Sequence, residues 1–200
     1  MEIPSDAELN AIVHRVVSQT LAGNVPSHGA SASPGVSVSP GVSTPRGVAT
    51  LAGNGQIVAL GADHGGYALK ETLKKHLEEK GYFVIDCGTH SPDAVDYPDF
   101  ARAVAVLVSE GKAWRGIMID GAGIGSCMAA NKIPGIRASM CYDHATANNA
   151  REHNDANVLT LGAGLIGINL AKEIVDTWLT TPFAGGRHAK RVEKIMALER

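Results

Sequence analysis

The feature that most constrains the fold is an alternation of short apolar runs with amphipathic segments, which begins at residue 56. The apolar runs cover residues 57–62, 82–88, 115–121, 136–141 and 157–162. The helical patterns cover residues 66–80, 98–111, 124–132, 143–152, 166–180 and 187–199. Nearly continuous apolar strands between amphipathic helices are typical of a parallel sheet that is covered on both faces. The sequence therefore predicts one α/β domain over residues 56–200, a three-layer αβα sandwich with a five-stranded parallel sheet.

Two pieces of different character precede this domain. Residues 1–22 carry apolar side chains at helical spacing, and Ser5 and Glu8 match a capping box, so they predict an amphipathic helix. Residues 23–55 are rich in Gly, Ser and Pro and repeat SPGVSV as SPGVST, which predicts a flexible linker. A helix on such a linker either docks on its own domain or a sister subunit, or binds a groove of another protein.

Composition excludes several classes of protein. A net charge of −2, from 18 basic and 20 acidic side chains, disfavours a nucleic-acid partner. No run reaches the ~20 apolar residues that span a membrane, and no signal peptide is recognisable, so we expect a soluble cytoplasmic protein without a membrane partner. The three cysteines Cys87, Cys127 and Cys141 lack C-x-x-C spacing, and no His/Asp/Glu cluster suggests a metal. We expect no cofactor.

The residues after the apolar runs are the first candidates for chemistry, because α/β sheets bind ligands beyond the carboxyl ends of their strands. Asp63 and His64 precede two glycines and a helix start, where free amides suit an anion, although both residues could simply cap the helix. Asp120 ends the third run, where it could be a general base or could only hydrogen-bond the following turn. That turn can form a nest of amides for an oxyanion or phosphate, and it contains Gly121, Gly123, Gly125 and Ser126.

Two further segments carry polar residues that suit a substrate. His153 and Asn154 follow the fourth predicted helix, and a histidine beside an amide suits proton transfer and hydroxyl recognition, although a plain polar loop is the alternative. Arg187 and Arg191 lie one helical turn apart, which suits a phosphate clamp or a solvated basic face.

As an ordered set, these motifs resemble those of the ribose-5-phosphate isomerase B family, which also includes the galactose-6-phosphate isomerase subunits. The motifs are DHGG (63–66), GTHS (88–91), DYPDFA (96–101), GAGIGSCMAANKIPGIRA (121–138), REHNDANVLTLG (151–162), IVDTWL (174–179) and GGRHAKRV (185–192). The resemblance covers nearly all of residues 56–200. It implies a Rossmann-like sandwich, a homodimer or a tetramer of dimers, and a site shared between two subunits.

The resemblance also implies a reaction, the interconversion of ribose 5-phosphate and ribulose 5-phosphate through a cis-enediolate without a metal. Another sugar phosphate, such as a hexose 6-phosphate or a deoxy sugar, and a catalytically weakened binding or scaffold protein are the alternatives. By motif position, His153 aids ring opening and Asp63 lies near the sugar oxygens. Asn154 and the amides of Gly121 to Gly125 steady the enediolate. His64, Arg187 and Arg191 hold the phosphate, and Tyr97 and His188 line the pocket.

The chain departs from the family pattern at several site positions. Many members have a cysteine base at the position of Asp120, and others have a glutamate at that of Ser126. The simplest hypothesis is that Asp120 replaces the missing base, while Cys127 faces the helix core. Ala122 replaces a Thr or Ser, and Gly164 stands where an arginine often contacts the phosphate, so one phosphate contact is expected to be lost.

The N-terminal piece resembles the encapsulation peptides that direct enzymes into bacterial microcompartments. The resemblance implies that residues 3–21 bind a shell protein or another cargo enzyme. The expected location is then the microcompartment lumen within the cytoplasm.

Overall fold

The structure, a computed structural model, describes residues 56–199, so the predicted N-terminal helix (1–22) and linker (23–55) lie outside the described residues. The strands are β1 (Ile57–Ala62), β2 (Phe83–Asp86), β3 (Arg115–Asp120), β4 (Ala138–Met140) and β5 (Val158–Gly162). The helices are α1 (Tyr67–Glu79), α2 (Tyr97–Ser109), α3 (Ile124–Ala130), α4 (His144–Glu152), α5 (Ile168–Thr180) and α6 (Arg187–Met196). The predicted α/β fold with a five-stranded parallel sheet is confirmed. The largest boundary difference is in α6, which was expected to continue to residue 199.

The sheet has the order β2-β1-β3-β5-β4, and all its strand pairs are parallel. All six residues of β3 are buried, which explains why residues 116–119 between its two charged ends form an uninterrupted non-polar run rather than an alternation. Helices α1, α4 and α5 pack on one face, where Leu73 and Trp178 are fully buried. Helices α2 and α3 cover the other face through residues such as Val104.

This topology places a crevice between β1 and β3. From β1 the chain continues to α1 on one face, and from β3 it continues to α3 on the other face. The two connections therefore diverge at the carboxyl ends of neighbouring strands, the arrangement in which open α/β sheets bind ligands. Asp63 follows β1 and Asp120 ends β3, so both carboxylates flank the crevice.

A buried ion pair joins α1 to the end of β2. The Lys70 ammonium is fully buried and donates to both carboxylate oxygens of Asp86 at 2.7 and 2.8 Å, and Lys74 donates to Asp86 at 3.0 Å. Burial opposes ionisation of Asp86, but hydrogen bonds from Lys70, the Gly88 amide and Lys74 hold its pKa below the usual value. The loop after β2 is held at the crevice from two sides. Its Gly88 amide donates to Asp86, and its Thr89 amide donates to Ala62 O at the end of β1 at 2.6 Å.

Candidate active site

Two buried carboxylates lie side by side at the crevice. Ala62 pairs with Ile119 in the sheet, and Asp63 N donates to Ile119 O at 3.1 Å, so Asp63 and Asp120 occupy neighbouring positions one step further on. Their relative exposures are 7% and 5%. The chain can turn tightly after Asp63 because Gly66 has no side chain, whereas a Cβ there would collide with the Ile119 carbonyl group.

The Asp120 carboxylate is directed into the turn that follows β3. Its Oδ1 accepts hydrogen bonds from the Ala122 amide at 2.8 Å and from the Gly123 amide. Its Oδ2 accepts from the Ser126 hydroxyl at 2.5 Å and from the Ser126 amide at 3.1 Å. Asp120 therefore lies at the end of its strand, as predicted. Both of its oxygens hydrogen-bond the following turn, which was the alternative to a role as general base.

Asp63 keeps a carboxylate oxygen available. Its Oδ1 accepts from the Gly66 amide at 3.0 Å, and within residues 56–199 no group donates to its Oδ2. Some amides of the turn after β3 are likewise hydrogen-bonded, and others are free. Those of Ala122 and Gly123 are engaged by Asp120, whereas those of Gly121 and Gly125 form no backbone hydrogen bond within the described chain. A free carboxylate oxygen thus lies beside amides that can bind an oxyanion.

His64 and Tyr97 complete the polar groups at the carboxyl edge of the sheet. His64 is exposed, and its Nδ1 lies 3.2 Å from the Val95 carbonyl oxygen and 3.3 Å from the Val95 amide nitrogen. The Tyr97 ring packs so closely on Gly125 that a Cβ there would lie 2.5 Å from the ring. The structure therefore brings one set of predicted site residues together at this edge, which we call the carboxyl-edge cluster: Asp63, His64, Tyr97, Asp120, Gly121, Gly123, Gly125 and Ser126.

The remaining predicted site residues lie at the amino edge of the sheet. Helix α4 runs from the carboxyl end of β4 back to the amino end of β5, and α5 returns from β5 in the same direction. Their C-terminal ends lie together, because Ala184 N donates to Glu152 O at 3.0 Å. The second set, which we call the amino-edge cluster, consists of His153, Asn154, Arg187, His188 and Arg191.

A pair of stacked imidazoles lies at the centre of the amino-edge cluster. The rings of His153 and His188 have centroids 4.2 Å apart and an interplanar angle of 3°. Arg187 Nε donates to His188 Nε2 at 3.4 Å. Burial, together with the neighbouring His153 ring and the charges of Arg187 and Arg191, lowers the pKa of His188, so its ring is neutral near pH 7.

The two clusters are separated by the length of the sheet. A six-residue strand such as β3 spans about 20 Å at ~3.3 Å per residue, and the clusters lie beyond its opposite ends. A single chain therefore does not bring Asp63 and His153 to the same ligand. The site that the resemblance implies contains both residues and is shared between two subunits.

The cysteines take no part in either cluster. Burial raises the pKa of Cys87 to about 12 and that of Cys141 to about 11, so both remain thiols near pH 7. Cys127 donates from Sγ to Ala138 O at 3.4 Å and so faces β4. Within residues 56–199, no group of three or more His, Cys, Asp or Glu side chains could hold a metal ion, and none of the helices is long and apolar enough to span a membrane.

Asn149 was not among the site residues predicted from the sequence. Its side chain bridges His153 and Asn154, with Nδ2 2.9 Å from His153 Nδ1 and Oδ1 3.2 Å from Asn154 Nδ2. The only signal in the sequence was its position four residues before His153, which places the two side chains on the same face of a helix.

The fold and the two clusters define an α/β protein with carboxylates and free amides at the switch point of its sheet and a histidine and arginine cluster at the opposite edge. Comparison with known proteins identifies the class as the sugar-phosphate isomerases. Residues 58–195 match the sequence model of the Ribose/Galactose Isomerase family. The chain belongs to this family.

Individual relatives agree with this assignment. Ribose-5-phosphate isomerase B of Escherichia coli is 48% identical over 142 residues, which are 71% of this chain and 95% of that protein. The structure of ribose-5-phosphate isomerase B from Clostridium thermocellum matches with a TM-score of 0.71 and 52% identity, over 72% of this chain and 97% of that one. D-erythrulose-4-phosphate isomerase of Pectobacterium atrosepticum is 45% identical over 140 residues, 69% of this chain and 91% of that protein. The relatives therefore include isomerases named for two different sugar phosphates.

Proposed function

We propose that the protein interconverts ribose 5-phosphate and ribulose 5-phosphate through a cis-enediolate. The observation that carries the proposal is the free Oδ2 of Asp63 beside the free amides of Gly121 and Gly125. A carboxylate can remove the proton from C2 of the aldose, and the amides can stabilise the negative charge that then develops on oxygen. The names of the Escherichia coli and Clostridium thermocellum relatives favour the five-carbon sugar phosphate.

In this mechanism Asp63 moves the proton between carbon atoms. Its Oδ2 takes the proton from C2, the electron pair of the C–H bond forms the C1=C2 double bond, and the π electrons of the C1=O1 group move to O1 to give the enediolate. The C2 hydroxyl proton then passes to O1, O2 forms the new carbonyl group at C2, and the electron pair of the C1=C2 bond takes the proton back from Asp63 at C1. Asp120 instead orders the turn, because its oxygens accept hydrogen bonds from Ala122, Gly123 and Ser126. Asp120 is the alternative base, and it would have to release the Ser126 hydroxyl before it could take a proton.

The amino-edge cluster and two residues of the carboxyl-edge cluster supply the other functions. His153 assists ring opening, and Asn154 steadies the enediolate together with the free amides. Arg187 and Arg191 clamp the phosphate together with His64 of the carboxyl-edge cluster, and His188 lines the pocket together with Tyr97. Both arginines are exposed at the start of α6, four residues apart. A guanidinium pair on one helix face can form several charge-assisted hydrogen bonds with a phosphate dianion.

We place the complete site between two chains, in a homodimer or a tetramer of such dimers. The carboxyl-edge cluster of one chain then faces the amino-edge cluster of its partner, because no single chain joins the two. The carboxyl edge also exposes large apolar side chains that would be covered in such a pair: Ile124 (49%), Met128 (65%), Leu165 (63%) and Ile168 (53%). A cluster of exposed apolar side chains at one edge is typical of an interface.

A panel of sugar phosphates tests the reaction. We expect ketose formation from ribose 5-phosphate without added metal, with a higher kcat/KM than for erythrose 4-phosphate or a hexose 6-phosphate. A preference for either of the other sugars would move the assignment to that substrate. No turnover by a folded protein that binds sugar phosphates in calorimetry would support the binding or scaffold role instead.

For the N-terminal region we propose that residues 3–21 bind a shell protein or another cargo enzyme and bring the isomerase into a microcompartment lumen. The support is the helical spacing of apolar residues before a Gly/Ser/Pro-rich segment. We expect deletion of residues 1–22 to abolish co-sedimentation with shells and to leave turnover unchanged. Val13→Asp on the apolar face should have the same effect, whereas Asn10→Asp on the polar face should not. Co-sedimentation that survives the deletion would refute the proposal.

A further inference from the structure

A hydrogen-bonded chain of three side chains ends at His153. Asn154 Nδ2 lies 3.2 Å from the backbone carbonyl oxygen of Asn149 and 3.2 Å from its Oδ1. Asn149 Nδ2 in turn lies 2.9 Å from His153 Nδ1. Asn149 lies in the second half of α4, and His153 and Asn154 directly follow the helix, so the chain of hydrogen bonds depends on local geometry at the helix end.

The direction of each hydrogen bond follows from the one group whose role is fixed. A backbone carbonyl oxygen only accepts, so the Asn154 atom beside it is the NH2 group and donates. The same NH2 group donates to Asn149, which makes that atom of Asn149 its carbonyl oxygen Oδ1. The other end of the Asn149 amide is then an NH2 group, and it donates to His153 Nδ1. His153 Nδ1 therefore carries no proton, and the proton of the neutral ring is on Nε2.

The neighbouring ring supports a neutral His153. Arg187 Nε donates to His188 Nε2, so His188 accepts at that nitrogen and is neutral as well. Two neutral imidazoles can stack at 4.2 Å without charge repulsion. The His153 side chain is 37% exposed, and its Nε2 lies no closer than 4.0 Å to the Glu152 carboxylate, so the N–H group is available to a ligand.

We propose that Asn149 is a positioning residue that holds His153 as the Nε2–H tautomer, and that His153 acts as a neutral hydrogen-bond donor rather than as a proton acceptor. This inference rests on the proposed function, in which His153 assists ring opening. As the C1–O4 bond of the furanose breaks, its electron pair goes to O4, O4 takes a proton from water, and the C1 hydroxyl releases one. The Nε2–H group stabilises the charge that develops on O4, a role for which a neutral imidazole is suited.

Asn149→Asp tests the proposal, because a carboxylate only accepts hydrogen bonds and would favour the proton on Nδ1. The readout is nitrogen-15 NMR of the imidazole rings in the full chain at about pH 9, where ordinary histidines are neutral. The His153 signals are assigned by their loss in His153→Phe. We expect Nε2–H in the wild type and Nδ1–H in Asn149→Asp. Asn148→Asp is the matched control, since it makes the same change on the adjacent residue, whose side chain forms no hydrogen bond with His153 in the described part of the chain, and it should keep Nε2–H.

Kinetics supply the second readout. Asn149→Asp should lower turnover of ribose 5-phosphate by about 10²-fold, the effect of losing one such donor. Exchange of the C1 hydrogen of ribulose 5-phosphate with deuterium should be nearly unchanged, because that sugar has no free 5-hydroxyl and forms no ring. Nδ1–H in the wild type, Nε2–H in Asn149→Asp, or an equal loss in both assays would overturn the inference. Failure of the proposed function is distinguishable, since the wild type would then show no turnover while its tautomer could still be read.

Discussion

Asp63→Asn is expected to lower kcat for ribose 5-phosphate by about 10²–10⁴-fold, the usual contribution of a general base. The substitution keeps the fold, because asparagine Oδ1 can still accept the hydrogen bond that Asp63 Oδ1 receives from the Gly66 amide at 3.0 Å. Only the unpartnered Oδ2 becomes an NH2 group, which cannot take a proton. The measurement is steady-state turnover together with deuterium exchange at C1 of ribulose 5-phosphate, and both should fall.

Asp120→Asn is the matched comparison, and we expect it to act on stability first. Its new NH2 group would face the Ser126 amide and hydroxyl in place of the present acceptor Oδ2. Hydrogen bonds to a buried charged group contribute about 1.5–3 kcal/mol each, so urea unfolding should detect the loss. A folded Asp120→Asn protein without exchange activity, beside an Asp63→Asn protein active within a few-fold of wild type, would identify Asp120 as the base.

A hybrid of two inactive chains is expected to recover activity if the site lies between subunits. One chain carries Asp63→Asn at the carboxyl edge, and the other carries Arg187→Ala with Arg191→Ala at the amino edge. In a hybrid dimer, one site combines both defects and the other combines both intact clusters. The two chains are co-expressed with different affinity tags and purified through both, and the hybrid should show about half of the wild-type activity.

The control hybrid places both defects at the same edge. Chains with Asp63→Asn and with Tyr97→Phe each damage the carboxyl-edge cluster, so each site of their hybrid has one defect. The activity of this hybrid should not exceed the mean activity of the two mutant homodimers. An inactive first hybrid, although both tags co-purify in a stable dimer, would show that the two clusters do not form a site across the subunit interface.

The strand and helix pattern was predictable because it depends on local hydrophobic periodicity. The run that became β3 has no polar side chain between Arg115 and Asp120, and the structure buries all six of its residues. The same rule located Asp63 and Asp120, since Asp63 follows β1, Asp120 ends β3, and the carboxyl ends of parallel strands meet at one edge. The direction of the side chains at those positions was not predictable. Asp120 turns back to Ser126 because the glycine-rich turn brings α3 over the end of its own strand.

The sequence by itself determined the α/β class, the order of the elements and the family, because each depends on residues that are close together in the chain. Only the tertiary structure decided that the predicted site residues form two clusters at opposite edges of the sheet. Helices α4 and α5 carry the chain back along the full length of the strands, so His153 and Arg187 lie far from Asp63. The tautomer that we infer for His153 also follows from the tertiary structure. It depends on the hydrogen bonds of the Asn149 side chain, and these depend on the positions of side chains in the folded chain.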